Sequence, residues 1–158
     1  MKTVLAAVDF SAVTDRVVLE AIRVARSLKA RVVVVHAVAP PSTVRDIFPA
    51  GALSSELLLA AKKAAQDRLA TLVKKYQRRA PRLEAVRVTG DPVGSIVAEA
   101  VRRSASYLVL GAHGHTAIFD VLTGGVARGV LARSPCPVVV VPVEPSISTS
   151  VPVRGRRK

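Results

Sequence analysis

The 158-residue chain holds no tryptophan, two tyrosines, three phenylalanines and one cysteine, and its 11 acidic residues face 24 Lys and Arg. A lone cysteine, Cys136, excludes an internal disulfide framework and suits a reducing compartment. Scarce aromatics remove the platforms on which proteins stack unpaired bases. No zinc-finger spacing and no RNP-like aromatic motif is present, so specific nucleic-acid binding is not expected. Half of the residues are apolar, yet the apolar runs are only strand length, far short of the roughly 18 residues that suggest a membrane span. Met1-Lys2-Thr3 leads straight into a strand-like run, with no signal-peptide core or cleavage site. The expectation is a soluble cytoplasmic protein without a membrane partner.

Several enzyme signatures are missing as well. There is no Gly-Lys-Ser/Thr phosphate loop, no Gly-x-Gly-x-x-Gly fingerprint and no Gly-x-Ser-x-Gly elbow. A receiver domain asks for paired acids after strand one and a lysine ending strand five. Here Asp9 has no acidic neighbour and the last strand ends Val141-Pro142.

The length fits one domain with a real core. Residues 1–143 read as that domain and 144–158, rich in Ser, Pro and Arg, as a basic tail expected to be disordered. The net charge is +13, of which the tail supplies +3 through Arg154, Arg156, Arg157 and Lys158 against Glu144. Much of the rest lies between Lys62 and Arg103, where it reads as a solvated face.

Five apolar, β-branched runs alternate with four helical patterns. The runs cover 4–8, 32–38, 83–88, 107–110 and 138–143. Val17, Val18, Ala21, Ile22, Ala25 and Leu28 recur at helical spacing, with Ser11 or Thr14 as candidate N-cap. Leu57, Ala61, Ala65, Leu69, Leu72 and Tyr76 form a second stripe. A third helix opens with Asp91 as cap and Pro92 in its first position, and is expected to bury Val93, Ile96, Val97, Ala100 and Val101. The fourth covers 126–133 and closes at Ser134-Pro135.

Such alternation predicts an α/β fold: an open, twisted, parallel five-stranded sheet with helices on both faces. Strand three mixes charged and apolar residues, as an edge does, while strands one, two and four are almost wholly apolar, as central strands are. Order 3-2-1-4-5 follows; a six-stranded dinucleotide-binding sheet would need one strand more. The last strand, from Val138 to Val143, is then an apolar edge, which predicts a homodimer paired through it. Residues 39–53, with three prolines and a glycine, form a long loop over the ligand side, either a lid or plain disorder.

In an open parallel sheet, ligands bind beyond the C-terminal strand ends where the order reverses. That point lies between strands one and four, where Asp9 faces the loop that starts at Gly111. Glycines in such a loop let backbone N–H groups face a phosphate, and the helix that follows adds a positive dipole end. Asp9 reads either as an acceptor for ribose hydroxyls or an adenine amine, or as an acid placed by the dipole of helix one. His113, His115 and His36 invite a metal, but no Cys or Glu stands near them in sequence, so no metal site is expected. His113 reads instead as a donor beside phosphates. Cys136, between two prolines, reads as a small packed hydrophobe.

These residues resemble the universal stress protein family, from Lys2 to about Val143. The likeness rests on Val8-Asp9-Phe10-Ser11, on His36 ending strand two, on Gly90-Asp91-Pro92 and on Ser134-Pro135-Cys136-Pro137. The nucleotide pattern of the family is glycine, two residues, glycine, nine residues, glycine, then serine or threonine. Here it reads Gly111, Gly114, Gly124 and then Gly125, with the hydroxyl missing. The resemblance implies an adenine nucleotide alpha hydrolase-like, Rossmann-like fold. It also implies a dimeric regulatory stress-response module that binds adenine nucleotide, ATP alone or with Mg2+, and acts on a regulatory protein partner. By the same resemblance Asp9 meets the adenine or ribose, Ala7 and Ala37 line the base pocket, and Leu110 and Gly111 pass the ribose. Gly114, Gly124, Gly125 and Val126 cradle phosphates, with His113 beside them. No base for activating water stands out, so ATP turnover should be slow at most. A vestigial loop on a nucleotide-free dimeric module is the alternative.

Overall fold

The computed structural model describes residues 1–40, 52–80, 82–112 and 125–142, with the backbone alone for 52–54. Residues 41–51 of the loop expected over 39–53, lid or plain disorder, the glycine-loop interior 113–124 and the tail therefore lie outside the described residues. The elements are β1 (Thr3–Ala7), α1 (Thr14–Leu28), β2 (Arg31–Val38), α2 (Ala52–Tyr76), β3 (Leu83–Thr89), α3 (Pro92–Arg102), β4 (Tyr107–Gly111), α4 (Gly125–Arg133) and β5 (Val138–Val141). The five strands form one parallel sheet in the order β3-β2-β1-β4-β5.

Side chains alternate across a strand, and the two faces of this sheet accordingly fill two cores. Val4, Ala6, Val32, Val34 and Val109 face α1 and α2, where Val17, Val18, Ala21, Leu69 and Leu72 meet them. Leu5, Ala7, Val33, Val35 and Leu108 face α3 and α4, where Ile96, Ala100, Ala127 and Val130 complete the packing. Burying both faces is what demands apolar residues at every position of the central strands.

Three local expectations are corrected. Helix α1 has Val13 at its N-cap position and no side-chain cap. Ser11 uses its N–H on Asp9 Oδ1, at 3.0 Å, and Thr14 donates its N–H to the Ser11 carbonyl. The hydroxyls of Ser11 and Thr14 are both buried without a hydrogen-bond partner among the described residues. Secondly, α2 buries Ala65, Leu69, Leu72 and Tyr76, but Leu57 is 56% exposed. Its 25 residues span about 37 Å, whereas the eight of β2 span about 26 Å, so its first turns outrun the sheet. Thirdly, Val101 is exposed, and α3 buries Ile96, Ala100 and Glu99 instead. Its cap is as expected: Asp91 accepts the Gly94 N–H at 2.7 Å, and Pro92 opens the helix.

Glu99 is buried among cations. It accepts from Nε and Nη2 of Arg102 and from Nε of Arg103, and Arg103 reaches on to Glu84 at the β3 edge. Arg31 joins Glu84 and donates to Thr3 Oγ1, tying α3 to the N-terminal end of the sheet.

Candidate functional site

At the other end of the sheet, β1 and β4 run side by side, with Ala7 opposite Leu110. The chain leaves β1 toward α1 and β2 on one side, and leaves β4 toward α4 and β5 on the other. The ends thus diverge and a crevice of about 240 Å³ opens between them. Ala7, Asp9, Ala37, Leu110, Gly111, Gly125 and Val126 all line it. His113, Gly114 and Gly124, expected at the same site, lie outside the described residues.

The residues missed from sequence are the walls. Val13, at the N-cap of α1, and Val17 within it close one side; Pro92, Ile96, Ala127 and Val130 of α3 and α4 close the other. The signal for them was their place on the inward stripes of those helices, near the ends that meet the C-terminal edge of the sheet.

Asp9 is exposed at the mouth, and its Asx-type bond to Ser11 turns the chain sharply, leaving Phe10 at φ 63. The acid in the first turn of α1 is Asp15, six residues on. The turn lays Phe10 against His36, ring centroids 4.3 Å apart, and the Arg68 guanidinium covers the other part of Phe10 at 4.6 Å. His36 donates Nδ1–H to the Val8 carbonyl at 2.8 Å, because a carbonyl can only accept. The floor beneath Asp9 is therefore held from both neighbouring elements.

Across the crevice stands the start of α4. Its first N–H groups lack intrahelical partners by geometry, and its first turn carries no acid. That end is chemically an anion acceptor. The two glycines here serve different purposes. A Cβ at Gly111 would come within 2.5 Å of Val13 Cγ1, so its bareness makes room for α1. A Cβ at Gly125 would meet no atom of the described residues within 4 Å.

Among the described residues, no group of three or more His, Cys, Asp or Glu is arranged to hold a metal ion. Cys136 is half-buried against the second core, where burial pushes its thiol upward in pKa and the Ser134 hydroxyl opposes the shift. No described helix is long and apolar enough to cross a membrane.

The fold and crevice define a class: a doubly wound α/β protein with a cleft at the switch point of a five-stranded parallel sheet. The chain belongs to the universal stress protein family, whose model matches residues 1–142. It is 33% identical over 141 residues to the universal stress protein in the QAH/OAS sulfhydrylase 3′ region of Thermus aquaticus, covering 89% of this chain and 98% of that one. Among solved structures it is similar to universal stress protein UspA from Lactobacillus plantarum, with TM-score 0.72, 24% identity, and coverage of 89% and 97% of the two chains. It is also similar to a universal stress protein in complex with cAMP, with TM-score 0.57, 26% identity, and coverage of 89% and 95%.

Proposed function

We propose that this protein binds an adenine nucleotide, ATP alone or with Mg2+, in the crevice between β1 and β4, and serves as a dimeric regulatory module of the stress response. One observation carries the reading: an exposed carboxylate, Asp9, and an acid-free helix start at Gly125 face the same apolar cleft. An adenosine needs apolar walls and an acceptor; phosphates need unpaired N–H groups. Both requirements meet here, and a family relative forms a complex with cAMP.

In this reading Ala7, Ala37, Ile96 and Val130 enclose the base, and Asp9 accepts from the ribose or the adenine amine. Leu110 and Gly111 pass the ribose. The N–H groups of Gly125 and Val126 take the phosphates, with His113, Gly114 and Gly124 completing the cradle. The nucleotide acts as a switch that alters which regulatory protein the dimer engages. No described side chain in the crevice is set up as a base beside the phosphate end, so turnover is slow at most. The dimer forms through the β5 edge, in the cytoplasm.

Acid extraction of purified protein should release adenine nucleotide, and calorimetry should show saturable ATP binding. Absence of any heat at millimolar ATP sinks the proposal. The second reading, a nucleotide-free dimeric interaction module, draws on Gly125 itself, which stands where the family's hydroxyl is absent. A crystal grown with ATP that shows an empty, collapsed crevice would favour it.

A further inference from the structure

We propose a second anion site at the end of the molecule opposite the crevice, suited to a compact anion bearing two or more phosphate groups. A hollow of about 330 Å³ opens there between the C-terminal turns of α1 and α2 and the start of β2. Arg26, Lys29, Arg79 and Arg82 stand around it, over an apolar floor that includes Ala25 and Val32. Among the described residues, no acid lines it.

Some described cations elsewhere meet acids and others, such as Lys62, Lys63 and Arg78, do not; what marks these four is that they converge on one hollow. Arg23 is matched by Glu20, Lys75 by Asp15, Arg102 and Arg103 by Glu99, and Arg31 by Glu84. Among the described residues, none of the four cations of the hollow takes part in such a pair. Cations often gather at helix C-termini to meet exposed carbonyls. Here the backbone does that work. Lys29, at φ 52, and Ala30 donate their N–H groups to the carbonyls of Arg26 and Ala25 and close α1. Gln77, Arg79 and Ala80 do the same for Val73 and Tyr76 at the end of α2. The helix ends therefore leave most of this charge unexplained.

One guanidinium is already positioned. Arg26 Nη2 donates to the Arg79 carbonyl at 2.8 Å, bridging the two helix ends across the hollow. Three arginines favour phosphate, whose oxygens accept two parallel N–H bonds from one fork. Four like charges around one hollow also repel each other, and a multiply charged anion relieves that repulsion where a monoanion does so only in part. A nucleic-acid strand fits less well, because no aromatic side chain lines the hollow to stack a base.

The test is a titration with inorganic pyrophosphate, followed by calorimetry and by backbone amide chemical shifts. Binding should be one-to-one and should weaken as salt rises. The shifts should concentrate at residues 26–30 and 79–82. The Arg79→Gln/Arg82→Gln variant, altered only at exposed positions, should lose at least tenfold in affinity with its thermal midpoint preserved. The proposal is overturned by an absence of binding, by unchanged affinity in that variant, or by shifts centred on Asp9, Ala37 and Gly125. Sulfate competing as well as pyrophosphate at equal ionic strength would show general screening alone, and would overturn it too.

Discussion

Val13 occupies the space that a side chain at Gly111 would need: a Cβ there would lie 2.5 Å from Val13 Cγ1. Val13 is buried and β-branched, so its methyl cannot swing aside cheaply. Gly111→Ala should therefore destabilise the fold by about 1–3 kcal/mol, the usual cost of overpacking a tight contact. Urea unfolding reads this directly. Unchanged stability would mean that α1 and β4 are less closely seated than they stand here.

Gly125 behaves in the opposite way. No described residue stands where its Cβ would be, so Gly125→Ser should fold normally while restoring a hydroxyl at the start of α4. A hydrogen bond to a charged partner contributes about 1.5–3 kcal/mol, and 1.4 kcal/mol is about tenfold in affinity. ATP affinity by calorimetry should accordingly rise about tenfold or more. A variant that binds ATP no better would place the phosphates away from residue 125.

These two glycines also show how far the sequence could be read. The order of the strands was legible because two-sided burial forces Leu5, Val33 and Leu108 to be apolar, while the β3 edge admits Glu84 and Arg87. The place of the crevice followed from that order. The purpose of Gly111 was not legible, since a glycine needed by a ligand and one needed by Val13 look alike in one dimension. The uncapped start of α1 was hidden for a similar reason. Ser11 has the right chemistry for a cap, but Val13 takes the cap position and the Ser11 hydroxyl is buried without a partner among the described residues. The exposed first turns of α2 could not be foreseen either, because periodicity shows which face is apolar and says nothing of where the sheet ends.

Glu99 gives a pH-dependent test. Hydrogen bonds from Arg102, and then the bonds and charge of Arg103, hold its carboxyl below its ordinary value of 4.5 despite burial. A carboxylate with a depressed folded pKa stabilises the fold fully above its unfolded pKa. That stabilisation fades as pH falls through the lower, folded value. Stability should thus decline on acidification below about pH 4.5, where the unfolded chain begins to bind the proton first. Arg103→Ala should cost about 1.5–3 kcal/mol at neutral pH and should flatten this acid slope. Urea midpoints measured from pH 7 to pH 3 test both. An unchanged slope in the variant would show that Arg103 does not share in holding Glu99.

The β5 edge offers a test of the dimer. The Pro137 carbonyl accepts from Leu108 and the Val141 carbonyl accepts from Ala112, so these residues turn their polar groups toward β4. Backbone groups alternate sides along a strand, which leaves those of Val138 and Val140 pointing to the open edge. Three of the four valines of β5 remain half-buried, an apolar edge of the kind that pairs with another chain. Val140→Pro removes an outward donor without cutting a bond to β4, and proline on an edge blocks pairing. Sedimentation should show a dimer for the natural chain and a monomer for the variant. The loss of one partly buried side chain should lower the thermal midpoint by only a few degrees, given that about 1 kcal/mol corresponds to roughly 2–4 °C at this size. A variant that folds and still sediments as a dimer would move the interface away from β5.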